Sequence, residues 1–297
     1  MEKLDRRYLN VFETCDSTKY FVDWVLDIDV YRESFLEGKP FKNVVIPNFL
    51  NADVIENIHN EFPCDFNKNI DWFHYNNPLE VKYLNSAIKN MPTCIRDVYY
   101  ALSTTQMTNL ISNMTGIREL ECDPTLYGSS IHAHGRHGRL NLHLDYEKHP
   151  LLPNKERRIN IILFLNKDWK REWNGHSELW NENVTECIKK QRVVYNTAFI
   201  FQTNDISWHG VPEKIMCPAN HYRKTLAYYY ISPLVSKPDT KKFGCDSSGH
   251  RTKASFIKRP QDKDYPELQK LYSIRPHRRI THEDMSRIWP EWTPEIF

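Results

Sequence analysis

The sequence has no long apolar run, no paired-cysteine motif, no internal repeat and no excess of charge of either sign. Each absence removes a class of protein. No segment approaches the roughly 18 consecutive apolar residues that a membrane-spanning helix needs. The stretch from Met1 to Val25 is broken by Asp5, Arg6, Arg7, Glu13, Asp16 and Lys19, so no signal peptide is expected. Seven cysteines (Cys15, Cys64, Cys94, Cys122, Cys187, Cys217 and Cys245) are odd in number and never spaced C-x-x-C. That argues against a disulfide framework and a zinc ribbon, and the expected setting is reducing and cytoplasmic. Forty basic side chains stand against 38 acidic ones, so overall charge points to neither a nucleic-acid nor a membrane partner. The oligomeric state is not legible.

What is present is enough apolar and aromatic material, 40% and 13% of 297 residues, to bury one substantial core with flanking segments. Residues 1–40 read as an N-terminal extension in which Tyr20 to Val30 is a strand or a short helix. A β-type run from Phe41 is stopped by Pro47, and Asn51 is placed to cap a helix over Asp53 to Phe62. Apolar spacing of three and four predicts helix from about Leu84 to Met114, with Gly116 as the stop. After Pro124 the pattern changes to short runs of two-residue alternation that continue to about Pro233, an all-β signature of barrel size. The main domain is expected over residues 41–235. Residues 236–297, basic and proline-rich, read as an extension that packs on this core or caps its site, with a short helix near His282 to Ile288.

One predicted strand carries the chemistry. From Arg139 to Tyr146, Leu140, Leu142, Leu144 and Tyr146 alternate with Arg139, Asn141, His143 and Asp145. Strand parity sends the two sets to opposite faces. Polar groups turned into a barrel need a reason such as a metal or a ligand. His143 and Asp145 project side by side, and His209, following the apolar run Ala198 to Phe201, is the best third ligand. Two imidazoles and a carboxylate form the facial triad of non-haem ferrous oxygenases, which leaves positions open for co-substrate and oxygen. A second H-x-D, His282 to Asp284, is a control: it follows Thr281 in a capping-box pattern and has no suitable histidine downstream.

The residues Asn141-Leu-His143-Leu-Asp145, Arg158 to Asn166, His209-Gly-Val-Pro and Arg223-Lys-Thr225 resemble the prolyl-4-hydroxylase-like branch of the Fe(II)- and 2-oxoglutarate-dependent dioxygenases. The similarity reaches upstream to Pro40 to Leu50, and Leu165 to Trp169 is similar to a segment of oxygen-sensing prolyl hydroxylases. The resemblance implies a mainly β fold with flanking helices, built on a double-stranded β-helix (jelly-roll, cupin-like) core. It implies Fe(II), 2-oxoglutarate and O2 as cofactor and co-substrates, with hydroxylation, release of succinate and CO2, and no halogenation because Asp145 is present. It further implies that Arg223 pairs with the distal carboxylate of 2-oxoglutarate, a task suited to a planar, permanently charged guanidinium. Thr225 shares that face, and Asn141 is expected to line the same pocket. Two positions depart from the pattern: Phe164 stands where some prolyl hydroxylases present a tyrosine hydroxyl, and Asn174 replaces a glycine before Glu178-Leu-Trp180.

Rival readings are concrete. His132, His134 and His137 could form a three-histidine zinc site in a cupin-like binding protein, although Gly135 and Gly138 suggest a wet loop at the barrel mouth. Lys224 competes with Arg223. Tyr228 to Tyr230 reads as sheet packing, Ile288 to Trp292 as a docked tail, and the basic tail with Lys241, Lys242, Arg278 and Arg279 as a solvated face. The substrate is a peptide if the site is an open groove, or a small molecule if Asp71 to Lys82 or the tail covers it.

Overall fold

The computed structural model describes residues 4–14, 19–21, 23–66, 71–236 and 245–296. Lys241 and Lys242 lie outside this set, as does Cys15. The helices are α1 (Arg6–Glu13), α2 (Ile28–Glu37), α3 (Ala52–Glu61), α4 (Thr93–Leu102), α5 (Thr105–Thr115), α6 (Pro266–Ile274) and α7 (His282–Ile288). The strands run β1 (Asn43–Ile46), β2 (Trp72–Asn77), β3 (Glu80–Asn85), β4 (Glu121–Cys122), β5 (Ser130–His134), β6 (Arg139–Leu144) and β7 (Lys155–Phe164). They continue with β8 (Ser177–Trp180), β9 (Cys187–Gln191), β10 (Thr197–Gln202), β11 (His209–Val211), β12 (Arg223–Pro233) and β13 (Ser255–Phe256). Among the described residues no helix is long and apolar enough to cross a membrane.

The strands join in one antiparallel sheet, ordered β1-β10-β7-β12-β5-β3-β6-β11-β8-β9. This sheet curls on itself. Phe201 on β10 and His209 on β11 have ring centroids 4.7 Å apart although five strands separate them in the order. Curling divides each central strand by parity. On β12, Leu226, Tyr228 and Tyr230 face outward into the main apolar core, whereas Arg223, Thr225, Ala227 and Tyr229 face the enclosed cavity. β7 and β10 divide the same way: Ile159, Ile161, Ala198 and Ile200 go to the core, and Asn160, Ile162, Phe199 and Phe201 to the cavity.

The outer face is covered by α4 and α5, which bury Ile95, Val98, Tyr99, Leu102, Met107, Ile111 and Met114. The Tyr230 hydroxyl donates to Leu102 O at 2.6 Å, and Ser103 Oγ lies 2.9 Å from the Tyr228 hydroxyl, so the strand tyrosines satisfy their polar ends at this junction. The single helix expected from Leu84 is a correction. Leu84 belongs to β3, helix begins at Thr93 after Pro92, and Thr104 interrupts it by capping α5 through Met107 N. Gly116 ends α5 in the left-handed region at φ 69°, as the sequence predicts. Among the described residues between Tyr20 and Val30 there are one bridge, Phe21 to Leu50, and one 3-10 turn before α2. Asn51 occupies the cap position of α3 without a side-chain bond.

Asp71 to Lys82 is not a loose cover. It forms most of the hairpin β2–β3, and β3 pairs with both β5 and β6. Its alternation was hidden because the inward positions of β3 are Glu80 and Lys82, charged groups that do not read as a buried face. The C-terminal residues dock on this hairpin. Leu268, Leu271, Ile280, Met285, Trp289 and Trp292 cluster with Leu79, Val81 and Phe256, and β13 pairs with β6. Thr281 and Asp284 form a reciprocal capping box, which accounts for the control H-x-D as a helix start.

Arg275 on this tail donates from Nε to Glu80 Oε1 at 3.0 Å, and Lys82 Nζ lies 3.3 Å from Glu80 Oε2. All three are buried. Removing the carboxylate leaves two buried cations facing each other. Glu80→Gln is therefore expected to destabilise the fold by about 3 kcal/mol, read as a lower midpoint in urea denaturation with an unchanged slope.

Candidate metal and co-substrate site

The strand β6 is not regular, and its irregularity creates the site. His209 on β11 pairs with His143, but Val211 pairs with Leu140, so β6 carries one extra residue across this step. The bulge reverses parity along the strand. His143 and Asp145 face the cavity together with Leu140, whereas Arg139 and Asn141 turn into a separate cleft beside Pro212, Glu213, Arg259 and Asp262. The expectation that Asn141 shares the co-substrate pocket is thereby corrected. Opposite the bulge stands Gly210, where an added Cβ would lie 2.7 Å from Leu140 O and 2.9 Å from Asn141 O.

His143, Asp145 and His209 offer ligand atoms that all lie within 4.8 Å of one another. His143 Nε2 is 3.8 Å from Asp145 Oδ1, and His209 Nε2 is 3.7 Å from Asp145 Oδ2. Each ring is oriented through its other nitrogen: His143 Nδ1 sits 2.9 Å from Asn141 O and His209 Nδ1 2.8 Å from Ser207 O. With those nitrogens donating to carbonyls, both Nε2 lone pairs are directed at the shared point. Burial pushes the His143 imidazolium down to about 3, aided by the adjacent His209, and burial lowers His209 too. Burial works against ionisation of Asp145. Arg157 and the two histidines outweigh it and hold the carboxyl below its usual range. At neutral pH the set is two neutral imidazoles and one carboxylate, the donor chemistry that fits a ferrous ion.

Arg157, not singled out from the sequence, fixes the carboxylate. Its Nη1 lies 3.1 Å from Asp145 Oδ2, and its guanidinium carbon is 3.4 Å from the Tyr229 ring centroid and 3.7 Å from that of Tyr146. The Phe256 ring stacks on His143 with centroids 5.1 Å apart. This brings the tail directly against the site.

Arg223 is 2% exposed and makes no ion pair with a carboxylate among the described residues. It donates from Nε to Gly175 O at 2.7 Å and from Nη2 to Ser177 Oγ at 3.0 Å, over the Phe164 ring. Burial lowers it to about 9, so it remains a cation at neutral pH. A buried, acid-free guanidinium beside a cavity fits a carboxylate ligand. Thr225 lines the same cavity two residues on, whereas Lys224 turns away and packs over Phe62. Asn174 takes φ 59° and ψ −144°, a glycine-like conformation that fits its place in the turn before Gly175.

The histidine cluster divides. His132 and His134 are strand residues on β5, opposite Thr225 and Arg223 of β12, and both line the cavity. His134 is 1% exposed, and neither ring nitrogen has a hydrogen-bond partner among the described residues. His137 is a turn residue at φ 63° with Nδ1 3.3 Å from Glu295 of the tail. The sequence signal that could have found β5 was the alternation of Ser130, His132 and His134 with Ile131 and Ala133. The glycines after it obscured that pattern.

A family model described as the 2OG-Fe(II) oxygenase superfamily matches residues 129–231. The fold is similar to that of a prolyl hydroxylase from Trichoplax adhaerens, solved in complex with a peptide fragment of the hypoxia inducible factor oxygen degradation domain. Identity is 14%, TM-score 0.53, and the match covers 73% of this chain and 96% of that one. A Pseudomonas putida prolyl-4-hydroxylase matches at 14% identity and TM-score 0.48, covering 67% and 97%. HygX from Streptomyces hygroscopicus, solved with nickel, 2-oxoglutarate and hygromycin B, matches at 11% identity and TM-score 0.46, covering 68% and 87%. No curated protein matches. The curled antiparallel sheet enclosing its polar cavity is the double-stranded β-helix of metal-dependent oxygenases. Residues 129–231 thus match the 2OG-Fe(II) oxygenase superfamily, and the fold around them is similar to that of a prolyl hydroxylase.

Because an added Cβ at Gly210 would meet the backbone of β6, Gly210→Ala must push β11 away from β6. Thermal denaturation is expected to register a loss of about 1–3 kcal/mol, and Mn(II) affinity should fall with it as His209 moves out of line.

Proposed function

We propose that the chain hydroxylates its substrate at a C–H bond, with His143, Asp145 and His209 as the iron ligands and Arg223 and Thr225 as the seat of the distal carboxylate of 2-oxoglutarate. The observation that carries this reading is the pairing of a metal-competent cluster with an acid-free buried guanidinium in one cavity. When bound, iron and 2-oxoglutarate supply oxygen activation coupled to decarboxylation, so that substrate, O2 and 2-oxoglutarate become hydroxylated product, succinate and CO2.

The protein's own contribution is orientation and exclusion of water. Carbonyls of Asn141 and Ser207 hold the imidazole tautomers, Arg157 holds the carboxylate, and Phe256, Phe199, Phe201 and Leu179 form apolar walls around the ligand point. His134 stands across from Arg223 with two unused ring nitrogens. It replaces, from the other side of β12, a donor that Phe164 does not supply. The free thiols Cys64, Cys94, Cys122, Cys187 and Cys217 support a reducing cytoplasmic setting.

Succinate formation with ferrous iron tests the reading. Asp145→Ala is expected to lower 2-oxoglutarate turnover at least about 100-fold, while Mn(II) no longer raises the melting temperature; wild-type succinate release from this variant would overturn the assignment. His134→Phe is expected to raise KM for 2-oxoglutarate about tenfold with a smaller change in kcat. An unchanged KM would remove His134 from the co-substrate seat.

A further inference from the structure

The cavity carries more positive charge than the assigned chemistry uses. Six cationic side chains line it (Lys82, Arg157, Arg223, Lys253, Arg275 and Arg279) against three carboxylates, Glu80, Asp145 and Glu178. A ferrous ion adds two positive charges and 2-oxoglutarate removes two, so the excess stays. Glu178 is paired with Lys190 at 2.8 Å, a residue outside the lining, and Asp145 with Arg157. That leaves Glu80 as the partner of both Lys82 and Arg275.

Uncompensated charge at 7–8% exposure is costly unless an anion completes it. Lys82 has three donors and Arg275 five. Their ion-pair and hydrogen-bond contacts among the described residues go to Glu80, with Tyr75 and Phe256 offering only ring faces. Arg279 lies over Phe73 and Tyr75 at the exposed rim of the same cavity. Three cations thus line a path from solvent inward, built from the hairpin and the tail.

This group is not the co-substrate seat. Lys82 comes from β3 and Arg223 from β12, with β5 between them. His132 of β5 feels both charges, whereas the triad histidines feel Lys82 and His134 feels both with Arg223 the stronger. The enclosure favours a compact molecule. The cavity measures ≈ 260 Å3, and the tail strand β13 is hydrogen-bonded along β6 beside the triad.

We propose that the substrate of this site is a small organic anion, whose carboxylate or phosphate group is taken by Lys82, Arg275 and Arg279 while a neighbouring C–H bond faces the metal point. The proposal rests on the dioxygenase reading above. Its test titrates short-chain carboxylates and phosphate monoesters, each beside its uncharged amide or alcohol counterpart, into protein loaded with Mn(II) and 2-oxoglutarate. The readout is melting temperature.

Anionic members are expected to raise it by about 3 °C or more at saturation, and their neutral counterparts not to. Lys82→Met and, at the exposed rim, Arg279→Gln should each weaken the apparent affinity for the stabilising anions about tenfold. Absence of any stabilisation by an anion over its neutral counterpart overturns the proposal, as does an unchanged affinity in both variants. Stabilisation of the wild type by Mn(II) with 2-oxoglutarate is measured in the same series. Its loss would sink the dioxygenase reading, whereas its presence without an anion response sinks only the anionic substrate.

Discussion

A carboxylate buried between two imidazoles is worth having as a metal ligand only while it stays ionised, and burial alone would neutralise it. Arg157 prevents that. Its guanidinium meets Asp145 at 3.1 Å and is held between the rings of Tyr146 and Tyr229, so the cation cannot swing into solvent. Burial keeps the histidines neutral, and Arg157 adds to it at His209. Burial and this ion pair together prepare the three donors for a divalent cation, and Tyr229, one of the two rings that hold the pair, is a β12 residue whose neighbours Tyr228 and Tyr230 anchor the outer core.

The curled sheet explains how such a polar interior is tolerated. Apolar burial is concentrated on the outer face beneath α4 and α5, where the outward-facing strand residues meet helix residues spaced three and four apart. The inner face is released from packing duty and can hold charge. Asp145 pairs there with Arg157 and Glu80 with Lys82 and Arg275, whereas Arg223 has no carboxylate partner among the described residues.

How much of this was legible in the sequence depended on local regularity. His143, Asp145, His209, Arg223 and Thr225 could be read because their strands announce themselves through strict alternation or a neighbouring apolar run. Asn141 was misplaced by the same argument, since a bulge against Gly210 reverses parity within three residues and alternation alone gives no sign of it. His132 and His134 were obscured by Gly135 and Gly138, which suggested a loop where a buried strand ends. The β2–β3 hairpin escaped notice because its inward residues are Glu80 and Lys82. Charged side chains facing a cavity look, in sequence, like a solvated surface, and only the distant partner Arg275 shows otherwise.

In the proposed function, chemistry and selectivity come from different parts of the chain. The triad, Arg157, Arg223, Thr225 and His134 all lie within the stretch that matches the family model, residues 129–231. Lys82, Arg275, Arg279 and Phe256, which build the rest of the cavity wall, lie outside it on the hairpin and the tail. These outer elements are fastened to each other by the Glu80–Arg275 pair and the Trp289 cluster, and to the sheet through β3 and β13. Such a layout lets the outer wall of the cavity change residue by residue while the β6–β11 pair keeps its register. It also makes the C-terminal tail a constituent of the active cavity, since Phe256 supplies one face of the His143 ring.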